Sequence, residues 1–67
     1  MRFEVYKKVG RGWSYKGIHA ARDSAFAAGT AAYAHGWGTY KVRPEDSRDK
    51  FIAYKVGPKG APAYRER

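Results

Sequence analysis

One uncharged, alanine-rich segment constrains the fold more than any other part of the sequence. Residues 24 to 40 carry no formal charge, and half of the residues from Ser24 to His35 are alanine, the strongest helix former. Asp23 is a favourable N-cap, and Gly36 is a favourable residue to end a helix. The chain is therefore predicted to contain one helix, Ser24 to His35, between two regions of strand-like sequence.

The region before the helix predicts a β-hairpin. Arg2 to Val9 alternates apolar and polar residues, with Lys7 as the exception, and this period of two indicates a half-buried strand. The glycines of Gly10-Arg11-Gly12 mark a turn, so Trp13 to Ala20 is the returning strand. Since glycine suits two-residue hairpin loops, we expect a loop of two residues.

The loop length determines which side chains of the hairpin share a face. A two-residue loop puts Val5 and Ile18 on one face of the sheet. The same register gathers four aromatic or basic residues on the opposite face: Tyr6, Lys8, Trp13 and Tyr15. A three-residue loop would instead turn Trp13 and Tyr15 towards the core.

The region after the helix predicts two more strands. Thr39 to Arg43 and Lys50 to Val56 both alternate, and the polar turn between them begins at Pro44, which cannot donate to a β-ladder. The expected fold is α+β: a β-β-α-β-β domain over residues 1–57, with a four-stranded antiparallel sheet and one helix packed on one face. Residues 58–67 have the composition of a flexible basic tail and are predicted to be disordered.

The two faces of the predicted helix differ in side-chain size. Phe26, Gly29 and Tyr33 form a stripe at helical spacing, which we expect to pack on the sheet. The opposite face then carries four alanines, with Ser24 and His35 as its only polar residues. Either alanine is simply tolerated there, or this face packs against a second copy of the chain. The predicted protein interface comprises Ala27, Ala31 and Ala34, with Trp37 in the loop that follows.

The net charge favours a polyanionic partner. The chain of 67 residues has 14 Lys and Arg against 6 Asp and Glu, a formal charge of +8. Such an excess favours nucleic acid or an acidic protein surface as the partner, although solubility alone would also explain it. All of this charge lies on the strand-like segments and the tail, because residues 24 to 40 have none.

Catalysis, cofactors and metals are not expected. There is no cysteine, which excludes a disulfide framework, a thiol nucleophile and a cysteine zinc site. His19 and His35 are 16 positions apart, without metal-ligand spacing. So short a chain leaves little material for a small-molecule pocket. With no signal peptide or membrane-spanning segment in the sequence, we expect a non-enzymatic cytoplasmic protein.

Basic and aromatic residues interleave on the sheet face that the helix leaves uncovered. Flat rings can stack on bases while Lys and Arg neutralise phosphates beside them. The predicted nucleic-acid-binding residues are Tyr6, Lys8, Trp13, Tyr15, Lys41, Arg43 and Lys55, with Phe51 on the same face.

The same aromatic row is also typical of a protein interface, where Tyr, Trp and Arg are common anchors. The order of hairpin, alanine-rich helix and strand from Tyr40 to Pro44 resembles small phage-encoded inhibitors of bacterial RNA polymerase. The resemblance covers Tyr15 to Pro44 and rests on layout, without a signature motif. It implies an adaptor or inhibitor that docks on a larger bacterial protein such as RNA polymerase. The strong positive charge of this chain departs from that family.

Overall fold

The computed structural model describes residues 1–58 and the backbone of residues 64 and 65. These residues form β1 (Arg2–Val9), β2 (Gly12–Ala20), α1 (Ser24–His35), β3 (Gly38–Pro44), β4 (Ile52–Val56) and a short β5 (Tyr64–Arg65). All neighbouring strands are antiparallel, in the order β2-β1-β3-β4-β5, and α1 packs on one face. The predicted α+β fold, with four antiparallel strands and one helix, is confirmed.

The C-terminal segment adds one strand to the prediction. The backbone of β5 pairs with β4, opposite Tyr54 and Lys55. The rest of the predicted disordered tail, apart from Pro58, lies outside the described residues. Among the described residues, the single helix is too short to cross a membrane.

The core lies between the sheet and the inner side of α1. Alternate residues of β1, β3 and β4 face the helix, which is why their sequences alternate. The buried side chains of the strands are Phe3, Val5, Tyr40, Val42, Tyr54 and Val56, and those of α1 are Ala27, Ala28, Ala31 and Ala32.

The helix ends where the sequence predicts. The N-cap Asp23 accepts a hydrogen bond through Oδ1 from the backbone N–H of Phe26, at 2.8 Å. At the other end, Gly36 has a φ of 91°, and its N–H donates to the carbonyl of Ala32. Such bonds satisfy backbone groups that a helix terminus would otherwise leave unpaired.

Lys7, which interrupts the alternation of β1, has a structural partner. It shares the helix side of the sheet with Phe3 and Val5, and its Nζ donates a 2.7 Å hydrogen bond to the carbonyl of His35. This carbonyl belongs to the last residue of α1, where the helix dipole favours positive charge. The lysine therefore stabilises the C-terminal end of the helix.

The predicted assignment of the two helix faces is wrong. Phe26 and Tyr33 point to solvent, with 50% and 78% of their surface exposed, whereas Ala27 and Ala31 are completely buried. Ala27 and Ala31 therefore do not form the predicted interface with another chain, since they are part of this chain's own core.

The tyrosines of the sheet explain why alanine faces inwards. Tyr40 and Tyr54 are buried and are the largest side chains that β3 and β4 contribute to the core beneath α1. Their hydroxyls reach the two ends of the helix: Tyr40 donates to the carbonyl of Gly36, and Tyr54 bonds with Ser24 Oγ. Large side chains from one layer require small ones from the other, so the aromatic stripe of the helix is excluded from the core.

The hairpin has the expected two-residue loop, but its register shifts further along. Val9 pairs with Gly12, which leaves Gly10 and Arg11 as the loop. In its C-terminal half, β2 contains a bulge at Gly17, whose φ is 91°. Ile18 consequently pairs with Glu4, so the prediction that it shares a face with Val5 is wrong.

Candidate nucleic-acid interface

The sheet face away from α1 gathers every residue predicted to bind nucleic acid. The pairs Tyr6–Tyr15 and Tyr6–Lys41 put side chains from three strands on one side. We call this surface the basic aromatic face; it comprises Tyr6, Lys8, Trp13, Tyr15, Lys41, Arg43, Phe51 and Lys55.

Four aromatic rings form the centre of the basic aromatic face. The Tyr6 ring lies 5.1 Å from that of Tyr15 and 5.5 Å from that of Phe51, measured between centroids. The Tyr6–Phe51 contact is edge-on, a favoured arrangement for aromatic pairs. Tyr6 and Phe51 are half-buried, whereas Trp13 and Tyr15 are 40% and 55% exposed. The inner pair thus supports an outer pair that is accessible to a ligand.

The ammonium group of Lys41 lies among these rings. Its Nζ lies 4.6 Å from the ring centroids of Trp13 and Phe51, and 5.2 Å from that of Tyr6. Each contact is a cation–π interaction, which orders the side chain and places an ammonium group beside the exposed ring of Trp13. A phosphate next to a base stacked on Trp13 would meet this charge.

The other three cations of the face differ in whether a neighbouring carboxylate already offsets their charge. Arg43 lies over the Phe51 ring at 4.3 Å, and its buried Nε is 3.1 Å from a carboxylate oxygen of Glu4. Lys8 and Lys55 are exposed and form no ion pair within the described residues. Lys8 and Lys55 are therefore better placed than Arg43 to neutralise phosphates.

Glu4 also lies on this surface, although it was not among the predicted site residues. Glu4 alternates with Tyr6 along β1 and so shares its face, which the sequence does indicate. Its pairing with Arg43 depends on β3 lying beside β1, and local alternation carries no information on strand order.

The predicted protein-interface residues do not form one surface. Ala27 and Ala31 are buried, while Ala34 and Trp37 are exposed, the latter at 60% in the loop between α1 and β3. The exposed aromatics of α1 were missed because the sequence prediction placed them in the core.

The two histidines are brought together by the bulge in β2. His19 pairs with Phe3, and its ring centroid is 6.4 Å from that of His35 at the end of α1. No group of three His, Cys, Asp or Glu residues suited to a metal occurs in the described part of the chain.

Comparison with family models, with curated proteins and with solved structures gives no match. The resemblance in layout to phage-encoded inhibitors stays a prediction.

Proposed function

We propose that this protein is a non-enzymatic module that binds single-stranded nucleic acid on its basic aromatic face. One observation carries the proposal: the exposed rings of Trp13 and Tyr15 lie beside the ammonium group of Lys41, in a chain with a net charge of +8. Because the chain has no cysteine, it is compatible with the reducing cytoplasm, where we place this activity.

The shape of the face favours a single strand over a duplex. Bases of a single strand can splay out and stack on aromatic side chains. The major groove of a duplex admits a helix or a two-stranded ribbon, but the exposed rings here lie on one face of a wider sheet. A duplex would therefore contact the cations without reaching the rings.

The number of cations sets the expected salt dependence. Lys8, Lys41, Lys55 and the partly neutralised Arg43 can contact about four phosphates, and each contributes about −0.7 to the slope of log affinity against log salt for single strands. We therefore expect a slope near −3. Duplex DNA should bind more weakly at every salt concentration, because it gains no stacking.

Titration of a fluorescent single-stranded oligonucleotide at two salt concentrations tests the proposal. Trp13→Ala and Tyr15→Ala should each weaken binding by roughly 5- to 100-fold, because base stacking on an aromatic contributes about 1–3 kcal/mol. Tyr33→Ala is the matched control, since it removes an exposed ring from the other side of the molecule and should change affinity less than twofold. Absence of binding at low salt, or equal losses in all three variants, would contradict the proposal.

A second candidate function is an adaptor or inhibitor that docks on an acidic protein surface. Trp37 favours it, because an exposed tryptophan in a loop is a typical interface anchor. Pull-downs from untreated and nuclease-treated lysate separate the two functions. A protein recovered by the wild type but lost with Trp37→Ala supports docking, whereas a partner that nuclease removes supports nucleic-acid binding.

A further inference from the structure

The solvent-facing side of α1 lacks the charged residues expected there. We call this surface the outer face of α1; it comprises Phe26, Gly29, Thr30, Tyr33 and Ala34. A helix exposed to water normally carries Lys, Glu or Arg on its outer side. Here two large rings are exposed instead, and the Thr30 hydroxyl donates back to the carbonyl of Phe26, so that it is satisfied within the helix.

Gly29, at the centre of this face, has no explanation within the chain's own fold. Glycine weakens a helix interior more than any residue except proline. A Cβ added at Gly29 would meet nothing within 4 Å, and its φ is not positive. Neither packing nor backbone conformation therefore requires glycine here. What glycine does provide is a notch between Phe26 and Tyr33 that opens outwards.

The spacing of the rings about this notch is symmetric. Phe26 and Tyr33 are seven residues apart, about 10.5 Å along the helix axis, and Gly29 and Thr30 lie midway between them. If two copies of α1 pack antiparallel about a two-fold axis at this midpoint, each Phe26 meets the other copy's Tyr33. Such self-complementarity is what a two-fold interface requires, and Gly29 lets the two helix axes approach closely.

Charge limits which surfaces of two copies can meet. At +8 per chain, most contacts between copies are repulsive. The outer face of α1 adds no charge of its own. Arg22 at its margin has its guanidinium 5.1 Å from the Phe26 ring, and its Nε is 3.7 Å from a carboxylate oxygen of Asp23, which offsets part of that charge.

We propose that two copies of this protein associate through the outer faces of α1 as a two-fold symmetric dimer. The basic aromatic faces then point away from each other and both stay open. This surface replaces the alanine face that the sequence suggested, because Ala27 and Ala31 are buried within each chain. A single helix face is smaller than a standard interface of about 800 Å² per partner, so the dimer is a weak one that depends on concentration.

Sedimentation equilibrium of the full, nuclease-treated chain over a wide concentration range tests the dimer. The mass should rise from 7.6 kDa towards twice that value. Tyr33→Glu places two acids in the contact and should weaken association at least tenfold. Tyr15→Glu is the matched control: it makes the same change on the basic aromatic face and should leave association unaltered.

A second variant separates the dimer from any effect on folding. Gly29→Ala fits the monomer without a clash and improves the helix, so its thermal unfolding at low concentration should occur at a higher temperature. In the dimer the added methyl groups separate the helices, so association should weaken at least tenfold. A wild type that stays monomeric throughout, equal effects of Tyr33→Glu and Tyr15→Glu, or unchanged association of Gly29→Ala would each overturn the proposal.

Discussion

The basic aromatic face and the outer face of α1 each expose two large aromatic rings, yet their surroundings differ. On the sheet, Trp13 lies beside a lysine ammonium and Tyr15 packs on another ring. On the helix, Phe26 and Tyr33 stand two turns apart on a face with no charged residue of its own, and Arg22 beside Phe26 is partly offset by Asp23. Exposure alone therefore does not indicate the kind of partner. The net charge of the face does, because a polyanion needs an excess of cations and a second copy of a basic chain is repelled by one.

The largest expected effect distinguishes the inner side of α1 from its outer face. Ala31→Glu would bury a carboxylate without a partner and should cost several kcal/mol, enough to unfold so small a domain. Tyr33→Glu puts the same group in water and should change the free energy of unfolding by about 0.5 kcal/mol or less. Thermal unfolding followed by circular dichroism measures both. Equal losses would mean that α1 is rotated about its axis from the orientation described.

A second pair of variants tests whether the position of charge matters for nucleic-acid binding. Lys41→Gln removes the cation among the rings and should lower affinity about tenfold, with a salt slope smaller in magnitude by about 0.7. Tyr33→Lys adds a cation on the outer face of α1 and should leave both quantities unchanged. If Tyr33→Lys raised affinity as much as Lys41→Gln lowers it, net charge would govern binding, and the distinction between the two faces would fail.

The smallest effect concerns Tyr40, which lies between the two faces. Loss of its hydroxyl in Tyr40→Phe leaves the carbonyl of Gly36 without that donor and should cost about 1 kcal/mol at neutral pH. Tyr33→Phe, at an exposed position, is the control and should cost almost nothing.

The pH dependence of Tyr40 follows from its burial. Desolvation raises the pKa of Tyr40 above its usual value of 10.0. The unfolded chain therefore loses this proton first, so the free energy of unfolding should fall as the pH rises above about 10. Tyr40→Phe should show a shallower decline, measured by chemical denaturation at several pH values. An identical decline in both proteins would show that other groups account for it.

Local sequence signals predicted the elements because each depends on near neighbours. Alternation located β1, β3 and β4, the glycines around Arg11 gave the hairpin loop and with it β2, and Asp23 and Gly36 gave the ends of α1. The basic aromatic face followed from the same alternation combined with the loop length.

The errors arose where distant residues decide the outcome. The orientation of α1 depends on the volume of Tyr40 and Tyr54. A helix with apolar residues on every side does not itself indicate which side faces the core. The bulge at Gly17 moves Ile18 to the other face; a glycine within a strand often marks a bulge, and the prediction did not use this signal. The contact between Glu4 and Arg43 required the strand order.

The two tryptophans allow the most direct test of the central claim, that the basic aromatic face binds single-stranded nucleic acid. Each indole N–H gives its own NMR signal, and Trp37→Phe assigns them. On addition of a single-stranded oligonucleotide at low salt, the signal of Trp13 should shift progressively, while that of Trp37 stays in place. A shift of Trp37 alone, or no shift of either signal, would show that the basic aromatic face does not bind the oligonucleotide.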